Sequence, residues 1–566
     1  MGYQISPGVN VSEIDLTTVV PSVLTTAGAF AGTFKWGPAN KTILVDSEIT
    51  LSKTFGTPDS NSAISFFTAA NFLSYGNNLS IVRAVGANSF NADANTTTAG
   101  IQVANSEVFE YTLLHTDNSN LYGAWMSKYP GALGNSLSVA VCANTSAFST
   151  WTYKSYFTSA PGTSSYVSNA GGSNDELHIA VIDAGGLFSG SKGTVLETFP
   201  FVSKAVDAVN LNDGSTNYYK QVVFNNSAYV YAVDPVDYAN TSSTWGQSAN
   251  TVFYSPSSVT TTLDGGTDES PSDADIISAF ALFSNKETID ISLVLTGDAS
   301  VAVQQDVIDN IVSSRADCVA FISPPQSAVV NQGGNETSNI QTWLTSLARS
   351  SSYVVADSGW KYQFDVYNNV YRWIPLNADI AGLCVYTDAV TDPWYSPAGF
   401  NRGAIKNAIK LAWNPSKTYR DTLYAAGVNP VVSFPGQGIV LFGDKTLQNK
   451  PSAFDRINVR RLFITLEKAI SKAAQSALFE FNDDFTRAQF SALVNPFLRD
   501  VQGRRGITDF KVVCDTTNNT PQVIDSNQFV GDIYIKPARS INFIQLNFVA
   551  VGTGVDFNTI VGQATV

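Results

Sequence analysis

Residues 274–323 have the sequence ADIISAFALFSNKETIDISLVLTGDASVAVQQDVIDNIVSSRADCVAFIS, in which two kinds of apolar pattern alternate. The segments ADIISAFALF and VAVQQDVIDNIVSS have helical periodicity, whereas DISLVLT and DCVAFIS are short apolar runs of the kind found in buried strands. An order of helix, strand, helix and strand predicts a parallel or mixed β-sheet with helices packed on it.

A segment nearer the N-terminus has a similar pattern. Residues 21–86 contain the strand-like runs SVLTTAGAFAG and LSIVRAV, and a helix is predicted between them in SNSAISFFTAANFLSYG. Ser60 is expected to cap this helix, and Gly76 to end it in the left-handed conformation. We therefore predict that residues 21–86 and 264–399 form one α/β middle domain.

The residues between these two parts differ in composition. Residues 87–263 are polar and punctuated by glycine, as in YKSYFTSAPGTSSYVSNAGGSND. The short apolar stretches LHIAVID and KQVVFNN are interpreted as strands, and LDGGTDESPSDAD (263–275) is interpreted as a linker. This part of the sequence predicts a β-rich outer insertion.

The charge of the chain is unevenly distributed. Residues 401–566 contain 19 Lys and Arg against 13 Asp and Glu, whereas residues 1–400 contain 14 against 34. This asymmetry indicates that the C-terminal part faces an acidic partner. Nucleic acid would call for basic residues interleaved with stacking aromatic residues, which are not evident, so an acidic protein is expected. No apolar run approaches the length of a membrane span, so no membrane insertion is expected.

A long amphipathic helix is predicted within PSAFDRINVRRLFITLEKAISKAAQSALFEF, residues 451–481. Its apolar residues recur at helical spacing, and Ser452 with Asp455 resembles a capping box. On the opposite face, Arg461, Lys468 and Lys472 fall within about 40° of one another. Two interpretations are open at this point: a solvated outer face, or a docking surface for an acidic partner.

Catalytic candidates are few. The two histidines, His115 and His178, lie in the β-rich insertion and outside any HExxH pattern. GIVLFGDKT (438–446) approximates a phosphate-binding loop, but Asp444 places a negative charge where the backbone should meet phosphate, so a strand and turn are expected. The cysteines are too far apart for a CxxC metal site or a dense disulfide framework, which fits a soluble protein of a reducing compartment; they are Cys142, Cys318, Cys384 and Cys514.

FKVVCDTTNNTPQVID, residues 510–525, places a cysteine beside an aspartate. Asp515 begins a run with the spacing of calcium ligands, but Thr520 and Ser526 stand where such a loop needs glycine and glutamate. We predict a polar turn between the strands FKVV and QVI, with Cys514 as a small buried side chain. No enzyme activity, cofactor or metal is expected.

Seven motifs allow a comparison with a known family. They are SPGVNVSEID, AFAGTFKWGPAN, FPGQGIVLFGDKTL, INVRRLF, FEFNDDFTRAQF, FLRDVQGRRGITDFKVVCDTTNNTPQVID and IYIKPARSINFIQLNFVA. Together they closely resemble the tail sheath proteins of long contractile-tailed bacteriophages. The resemblance covers about the first 86 residues and nearly everything after residue 400, whereas residues 87–263 match no motif of the family.

The resemblance implies an α+β multidomain fold, with an α/β core built from both chain ends and with nested inserted α/β and β-rich domains. Residues 1–20 and 400–566 are then expected to form the sheath core domain. The middle domain would comprise residues 21–86 and 264–399, and residues 87–263 would form the outer insertion.

The resemblance also implies a structural function. Subunits of the family polymerise helically around an inner tail tube and contract to drive the tube through the host envelope for genome delivery. Expected partners are further copies of the chain, the inner tail tube protein, and baseplate and tail terminator proteins, without direct contact to nucleic acid. The expected location is the tail of the virion, after assembly in the host cytoplasm.

Two alternatives remain at this point. One is a tail-associated glycan-binding or hydrolytic protein with its site in the β-rich insertion, and the other is the sheath of a related contractile injection system.

Two sets of residues acquire roles from the resemblance. In the family the helix that matches INVRRLF lies on the inner wall, which favours a tube-facing position for Arg461, Lys468 and Lys472. The family also shares strands between neighbouring subunits. The residues expected on such strands are Val9, Val11, Ile544, Leu546 and Phe548.

Overall fold

Strands and helices alternate through the residues that the computed structural model describes, which are 23–95, 100–115, 121–236, 244–542 and 545. The strands are β1 (Gly28–Gly32), β2 (Thr42–Val45), β3 (Leu79–Arg83), β4 (Trp125–Ser127), β5 (Leu137–Cys142), β6 (Glu176–Asp183), β7 (Thr194–Ser203), β8 (Val230–Ala232), β9 (Val259–Thr262), β10 (Leu293–Leu295), β11 (Val319–Ile322), β12 (Val354–Asp357), β13 (Trp360–Asp365), β14 (Val370–Pro375), β15 (Lys410–Leu411), β16 (Val428–Asn429), β17 (Val431–Phe434), β18 (Gly438–Leu441), β19 (Ile507–Val513) and β20 (Asp532–Pro537). The helices are α1 (Glu48–Phe55), α2 (Ala63–Leu73), α3 (Ser106–Phe109), α4 (Thr145–Phe148), α5 (Ser165–Asn169), α6 (Tyr219–Asn226), α7 (Asp273–Ala281), α8 (Val301–Asp306), α9 (Ser313–Arg315), α10 (Gln326–Val329), α11 (Glu336–Leu347), α12 (Asn377–Val390), α13 (Lys417–Ala425), α14 (Ile457–Ala474), α15 (Asp484–Gly503) and α16 (Pro521–Asp525).

Seven strands form the central sheet, in the order β16-β12-β11-β10-β1-β3-β2. β2 is antiparallel to β3, and the other neighbouring pairs are parallel. The register places Gly28 beside both Leu293 and Leu79, so β1 lies between strands from two distant parts of the chain. The parallel or mixed sheet predicted from residues 274–323 is confirmed, since the two strands predicted there are β10 and β11.

Helices cover both faces of the central sheet. On one face, α2 and α12 pack against strand residues that include Phe30 and Leu295. On the other face, α7, α8 and α11 pack against residues that include Ala29 and Val294. Because both faces are buried, the strands lack the polar alternation of a half-exposed sheet, and continuous apolar runs identify them in the sequence.

The sheet also shows how the predicted domains are connected. The strands β1–β3 and β10–β12 come from the two parts of the predicted middle domain. β16 lies beyond residue 400, in the predicted core domain, and pairs with β12. The sheet therefore crosses the boundary placed at residue 400. Residues 1–20 lie outside the described residues, and the division into three domains stays a prediction.

The insertion has its own antiparallel sheet, in the order β7-β6-β5-β9, together with the pair β4 and β8. β6 is the strand predicted in LHIAVID. KQVVFNN was expected to be a strand and is part of α6, so that prediction is wrong. Tyr219 and Val223, four residues apart, both bury their side chains in the core of the insertion. This packing of one helical face outweighs the β-propensity of the two valines.

Arg83, at the end of β3, ties the insertion to the central sheet. Its buried guanidinium donates hydrogen bonds to the carbonyl oxygens of Phe34, Gly37 and Pro130 at 2.8–2.9 Å. Burial lowers the pKa of Arg83 to about 10, although nearby Asp268 opposes the shift. Because Pro130 lies in the insertion whereas Phe34 and Gly37 do not, the guanidinium links the insertion to the loop that follows β1 and to β3.

The start of α2 differs from the predicted cap. The helix begins at Ala63 after Ser62, which makes no side-chain cap, and Asp59 instead of Ser60 orders the turn that precedes the helix. The Oδ1 atom of Asp59 accepts hydrogen bonds from the amides of Asn61 and Ser62, each at 2.9 Å. Aspartate and serine side chains both accept hydrogen bonds from backbone amides in such turns, so the sequence alone did not distinguish the two.

Two other helix ends depart from expectation. Gly76 does not adopt a positive φ; it is needed because a Cβ there would lie 2.6 Å from the side chain of Val385 on α12. Ser272 and Asp275 form a capping box at the start of α7, within the segment interpreted as a linker. The spacing of these two residues before an apolar run is the signature of such a box and could have been recognised.

The C-terminal part is a layer of two long helices and a strand pair. α14 and α15 pack together through a cluster that includes Leu462, Leu466, Val494 and Leu498. β19 and β20 form an antiparallel pair that packs on the same cluster. Throughout the described residues, no helix combines the length and the apolar character needed to cross a bilayer.

Candidate assembly interface

α14 carries the three basic residues expected to face a tube. Its apolar stripe is as predicted, with Leu462 and Leu466 buried against α15. The helix starts at Ile457, because Ser452 accepts a hydrogen bond from the amide of Phe454 and caps a short turn before α14. The capping box predicted for this helix is therefore wrong.

The first half of α14 is buried on more than one face. Ile457 and Ile464 pack into the hydrophobic cluster of the central sheet, while the apolar stripe faces α15. A helical projection that assumes one buried face does not apply to such a segment. Position 461, on the side opposite the stripe, is consequently buried as well.

Arg461 is an internal structural residue, with a side chain that is 4% exposed. Its Nη1 and Nη2 atoms lie 2.8 and 2.6 Å from Oδ1 and Oδ2 of Asp388 on α12. It also donates to the carbonyl oxygen of Thr25 at 3.3 Å. Burial alone would lower the pKa of Arg461, but the Asp388 carboxylate outweighs burial, and the pKa is raised. Arg461 therefore does not lie on a solvated face of the folded chain, and its contact with a tube stays a prediction.

Lys468 is also engaged within the chain. Its Nζ atom lies 2.7 Å from Oδ1 of Asp290 and donates hydrogen bonds to the carbonyl oxygen of Ile291 and to Oγ of Ser292. These three residues directly precede β10, so Lys468 ties α14 to the central sheet. The side chain is 12% exposed, and its contact with a tube stays a prediction.

Lys472 differs from the other two basic residues because it is exposed to solvent. It lies in the last turn of α14, where a cation is favourable beside the partial negative charge of the helix C-terminus. Of the three residues, Lys472 is the one whose position fits a contact with an external acidic surface.

The residues expected on shared strands lie outside the described residues, and their roles stay predictions; they are Val9, Val11, Ile544, Leu546 and Phe548. The strand pair that precedes the C-terminal three is described. Within the described part of the chain, β19 and β20 pair only with each other. Their two outer edges therefore present backbone groups that an added strand could pair with.

Asp444 binds the residues that follow β20, where the chain leaves this strand pair. Its carboxylate accepts hydrogen bonds from the hydroxyls of Ser540 and Ser396 at 2.8 and 3.1 Å. It also accepts from Asn542 and from the Tyr424 hydroxyl at 3.3 and 3.2 Å. In the sequence, Asp444 is notable only as a mismatch to a phosphate-binding loop. Its partners at 540 and 542 are about a hundred residues away, so no local pattern could have revealed this role.

The turn after β19 is polar, as predicted. Asp515 accepts a hydrogen bond from the amide of Thr517, and Asn519 exchanges two hydrogen bonds with the backbone of Val530. Cys514 is buried, and burial raises the pKa of its thiol, which disfavours a nucleophilic thiolate. The strand expected in QVI is wrong, because Pro521 begins α16 and the partner of β19 is β20.

The remaining catalytic candidates occupy structural positions. His178 is buried, its Nε2 lies 2.8 Å from the carbonyl oxygen of Ser159, and its Nδ1 accepts from the amide of Phe201. Burial lowers the pKa of His178, so the ring is neutral. His115 is exposed. Within the described ranges, no group of three His, Cys, Asp or Glu side chains could hold a metal ion.

Models of three sheath domains match most of this chain. The phage tail sheath protein central domain matches residues 269–447, and the phage tail sheath C-terminal domain matches residues 449–550. The tail sheath protein Gp18 domain III N-terminal region matches residues 25–84. The insertion lies between two of these matches.

Comparison with relatives over nearly the whole chain also identifies tail sheath proteins. The tail sheath protein of Vibrio phage KVP40 is 35% identical over 99% of this chain and 100% of its own length. The tail sheath protein of Enterobacteria phage T4 is 32% identical over 99% of both chains. Among solved structures, the sheath tail protein Lin1278 from Listeria innocua has a TM-score of 0.53 at 12% identity, over 91% of this chain and 96% of that one, which supports the fold alone.

Proposed function

Because this chain belongs to the phage tail sheath protein family, we propose that it polymerises helically around an inner tail tube and contracts to drive the tube through a host envelope. The whole-chain similarity to tail sheath proteins carries this proposal. The protein would then act in the tail of the virion after assembly in the host cytoplasm. Its further partners would be baseplate and tail terminator proteins.

The proposed assembly uses strands exchanged between copies. The open edges of β19 and β20 are suited to receive them, and Asp444 fixes the point at which the following residues depart. Strand exchange joins chains by backbone hydrogen bonds, and linkers can bend while the sheets persist. A contact between two different surfaces of the same chain can repeat as an open helix, which a sheath requires, provided that its rotation does not close into a ring.

The proposed mechanism has no chemical step. Subunits would assemble in an extended lattice on the tube and would move to a contracted lattice that buries more surface between copies. The free energy of contraction would come from this difference in packing, as in other switches that release a metastable arrangement. The buried Cys514 and the neutral His178 are consistent with structural roles.

Contact with the tube is proposed to involve the exposed end of α14. Arg461 and Lys468 already have carboxylate partners within the chain. Lys472 is exposed and would supply the direct electrostatic contact. Each such pair contributes little alone, but it recurs in every subunit along the tube.

Strand exchange can be tested with two matched variants. Val9→Pro/Val11→Pro removes amide donors from the predicted shared strand, whereas Val9→Thr/Val11→Thr keeps β-branched residues and the amides. We expect the threonine variant to polymerise and the proline variant to remain monomeric in sedimentation velocity. Deletion of residues 1–16, or of everything after Ser540, should have the same effect as proline. Normal polymers from either deletion would refute strand exchange.

A further inference from the structure

The connection between α14 and α15 exposes a large apolar surface. Four side chains, Leu478, Phe479, Phe481 and Phe485, form what we call the phenylalanine knob. Their exposures are 63%, 105%, 84% and 76%. Phe479 has a φ of +69°, a strained conformation for a non-glycine residue. Exposed apolar side chains that are this close together in a folded chain indicate a contact with another protein.

The knob is held in place by its surroundings. Asp483 caps α15 by accepting a hydrogen bond from the amide of Thr486 at 2.8 Å. Asn482 donates to the carbonyl oxygen of Gln528 and accepts from Arg487, each at 2.7 Å. The knob is therefore a preformed protrusion, and a partner would not have to order it first.

Carboxylates accompany the phenylalanine knob. Glu480, Asp483 and Asp484 lie between or beside its apolar residues, and all three are exposed. Asp484 is paired with Arg487 of the same turn, whereas Glu480 is exposed between Phe479 and Phe481 in the sequence. A matching surface should therefore combine an apolar floor with positive charge.

A groove of that description lies on the same chain. It has a volume of about 1210 Å³, and its apolar walls include Trp394 and Phe442. Five cations line it: Arg402, Lys417, Arg420, Arg505 and Arg539. Two carboxylates also line it, Asp421 and Asp444, and Asp444 is occupied by the hydrogen bonds described above. We call it the basic groove.

The knob and the groove lie at opposite ends of one rigid layer. Three residues of the knob precede α15, and the fourth, Phe485, lies in its first turn. Gln502 and Arg505 lie at the other end of α15 and line the groove. A helix of 20 residues is about 30 Å long. β19 runs back from the groove towards the knob, since Thr508 lies at the groove and the turn after β19 includes Asn519, which contacts Asn482. A chain cannot insert its own knob into its own groove.

We infer that the phenylalanine knob of one copy docks into the basic groove of the next copy. This contact rests on the proposed helical assembly and specifies one of its interfaces. It is heterologous, because two different surfaces of the chain meet, and such a contact builds an open helix whenever its rotation does not close into a ring. The carboxylates beside the knob face the cations of the groove, and the phenylalanines of the knob replace water along the apolar walls of the groove.

The knob alone can supply more than half of the area that one partner buries in a standard interface. Each buried phenylalanine contributes roughly 150–250 Å², so three supply roughly 450–750 Å². A standard interface buries about 800 Å² on each partner. Buried aromatic anchors of this kind commonly carry most of the binding free energy.

The terminal segments match the groove less well. Residues 543–566 carry one charged side chain, Asp556, and no cluster of carboxylates. Residues 1–22 carry Glu13 and Asp15 but a single aromatic residue, Tyr3. Residues 478–485, which contain the knob, combine three carboxylates with three phenylalanines, and this combination favours the knob as the occupant.

Crosslinking between copies tests the contact. The double variant Phe481→Cys/Thr508→Cys places one thiol on the knob and one in the groove, too far apart for a short bis-maleimide to join them within a chain. The four native cysteines are buried, which keeps the background low. We expect a ladder of crosslinked multimers from the double variant and none from either single variant. Phe364→Cys/Thr508→Cys is the matched control, since Phe364 is 40% exposed on β13.

The possible outcomes separate this contact from the proposed function. Wild-type helical polymers without a ladder from the double variant would overturn the knob–groove contact and leave the proposed function standing. Failure of the wild-type chain to polymerise would refute both. A ladder from Thr508→Cys combined with Val11→Cys or Phe548→Cys, and not with Phe481→Cys, would assign the groove to a terminal segment and overturn the inference.

A second measurement does not depend on crosslinking geometry. Phe479→Ser/Phe481→Ser should raise the critical concentration for polymerisation at least about tenfold, because it removes two apolar anchors. The control Phe364→Ser/Tyr371→Ser changes two aromatic residues that are exposed elsewhere and should leave the critical concentration unchanged. Equal critical concentrations for the two variants, with unchanged circular dichroism, would contradict the knob–groove contact.

Discussion

Replacing Arg461 by methionine tests whether its ion pair with Asp388 supports the fold. Methionine retains apolar volume but leaves the Asp388 carboxylate, which is 5% exposed, without its cation. Removing one member of a buried pair typically costs about 3–5 kcal/mol. About 1.4 kcal/mol changes an equilibrium constant by a factor of ten. The equilibrium constant for local unfolding of α14 should therefore increase roughly 10²- to 10⁴-fold.

The assay is amide hydrogen exchange of peptides from α14, compared in the same state of assembly. Arg461→Met should accelerate exchange by the factor given above. Arg461→Met/Asp388→Leu should restore most of the protection, because no charge is left buried. Lys472→Met, at an exposed position of the same helix, should change stability by no more than about 0.5 kcal/mol. Equal exchange in Arg461→Met and Lys472→Met would refute the structural role of Arg461.

Three further predictions concern single side chains. Cys514→Ala should polymerise normally and lose at most about 1–2 kcal/mol of stability in thermal unfolding, and loss of a redox or hydrolytic activity would contradict its structural role. Burial lowers the pKa of His178 below its ordinary 6.5, so its contribution to folding stability should be fully present above pH 6.5 and should be lost as the pH falls below that value. His178→Phe should weaken this pH dependence of the melting temperature, and identical pH profiles for the variant and the wild type would argue against this role of His178. Lys472→Glu should reduce co-sedimentation with preformed tubes and flatten its salt dependence, whereas Lys53→Glu on α1 should not; tube binding equal to that of the wild type would remove Lys472 from the interface.

Continuous apolar runs were sufficient to predict four of the seven strands of the central sheet, β1, β3, β10 and β11. The strands β10 and β11 are buried on both faces, so their sequences are continuous apolar runs that no amphipathic helix would show. α6 was missed because its short sequence contains two adjacent valines, and only the packing of Tyr219 and Val223 in one core reveals it as a helix.

The errors at the candidate interface have a common physical origin. The charge of Arg461 is compensated by Asp388, 73 residues away, and such a partner leaves no mark in the local pattern. Asp444 likewise acts on residues about a hundred positions further along the chain. A helical projection identifies faces, but it does not show whether a second element covers the opposite side. The turn at Asp515 was predictable because its hydrogen bonds are local.

Electron microscopy of the purified full-length chain, with helical reconstruction, tests the central claim most directly. The account predicts hollow helical tubes in which strands from residues 1–22 or 543–566 of neighbouring copies extend the β19–β20 pair, with the end of α14 towards the lumen. Compact trimers or closed particles would contradict it, as would tubes in which both edges of the β19–β20 pair remain without an added strand.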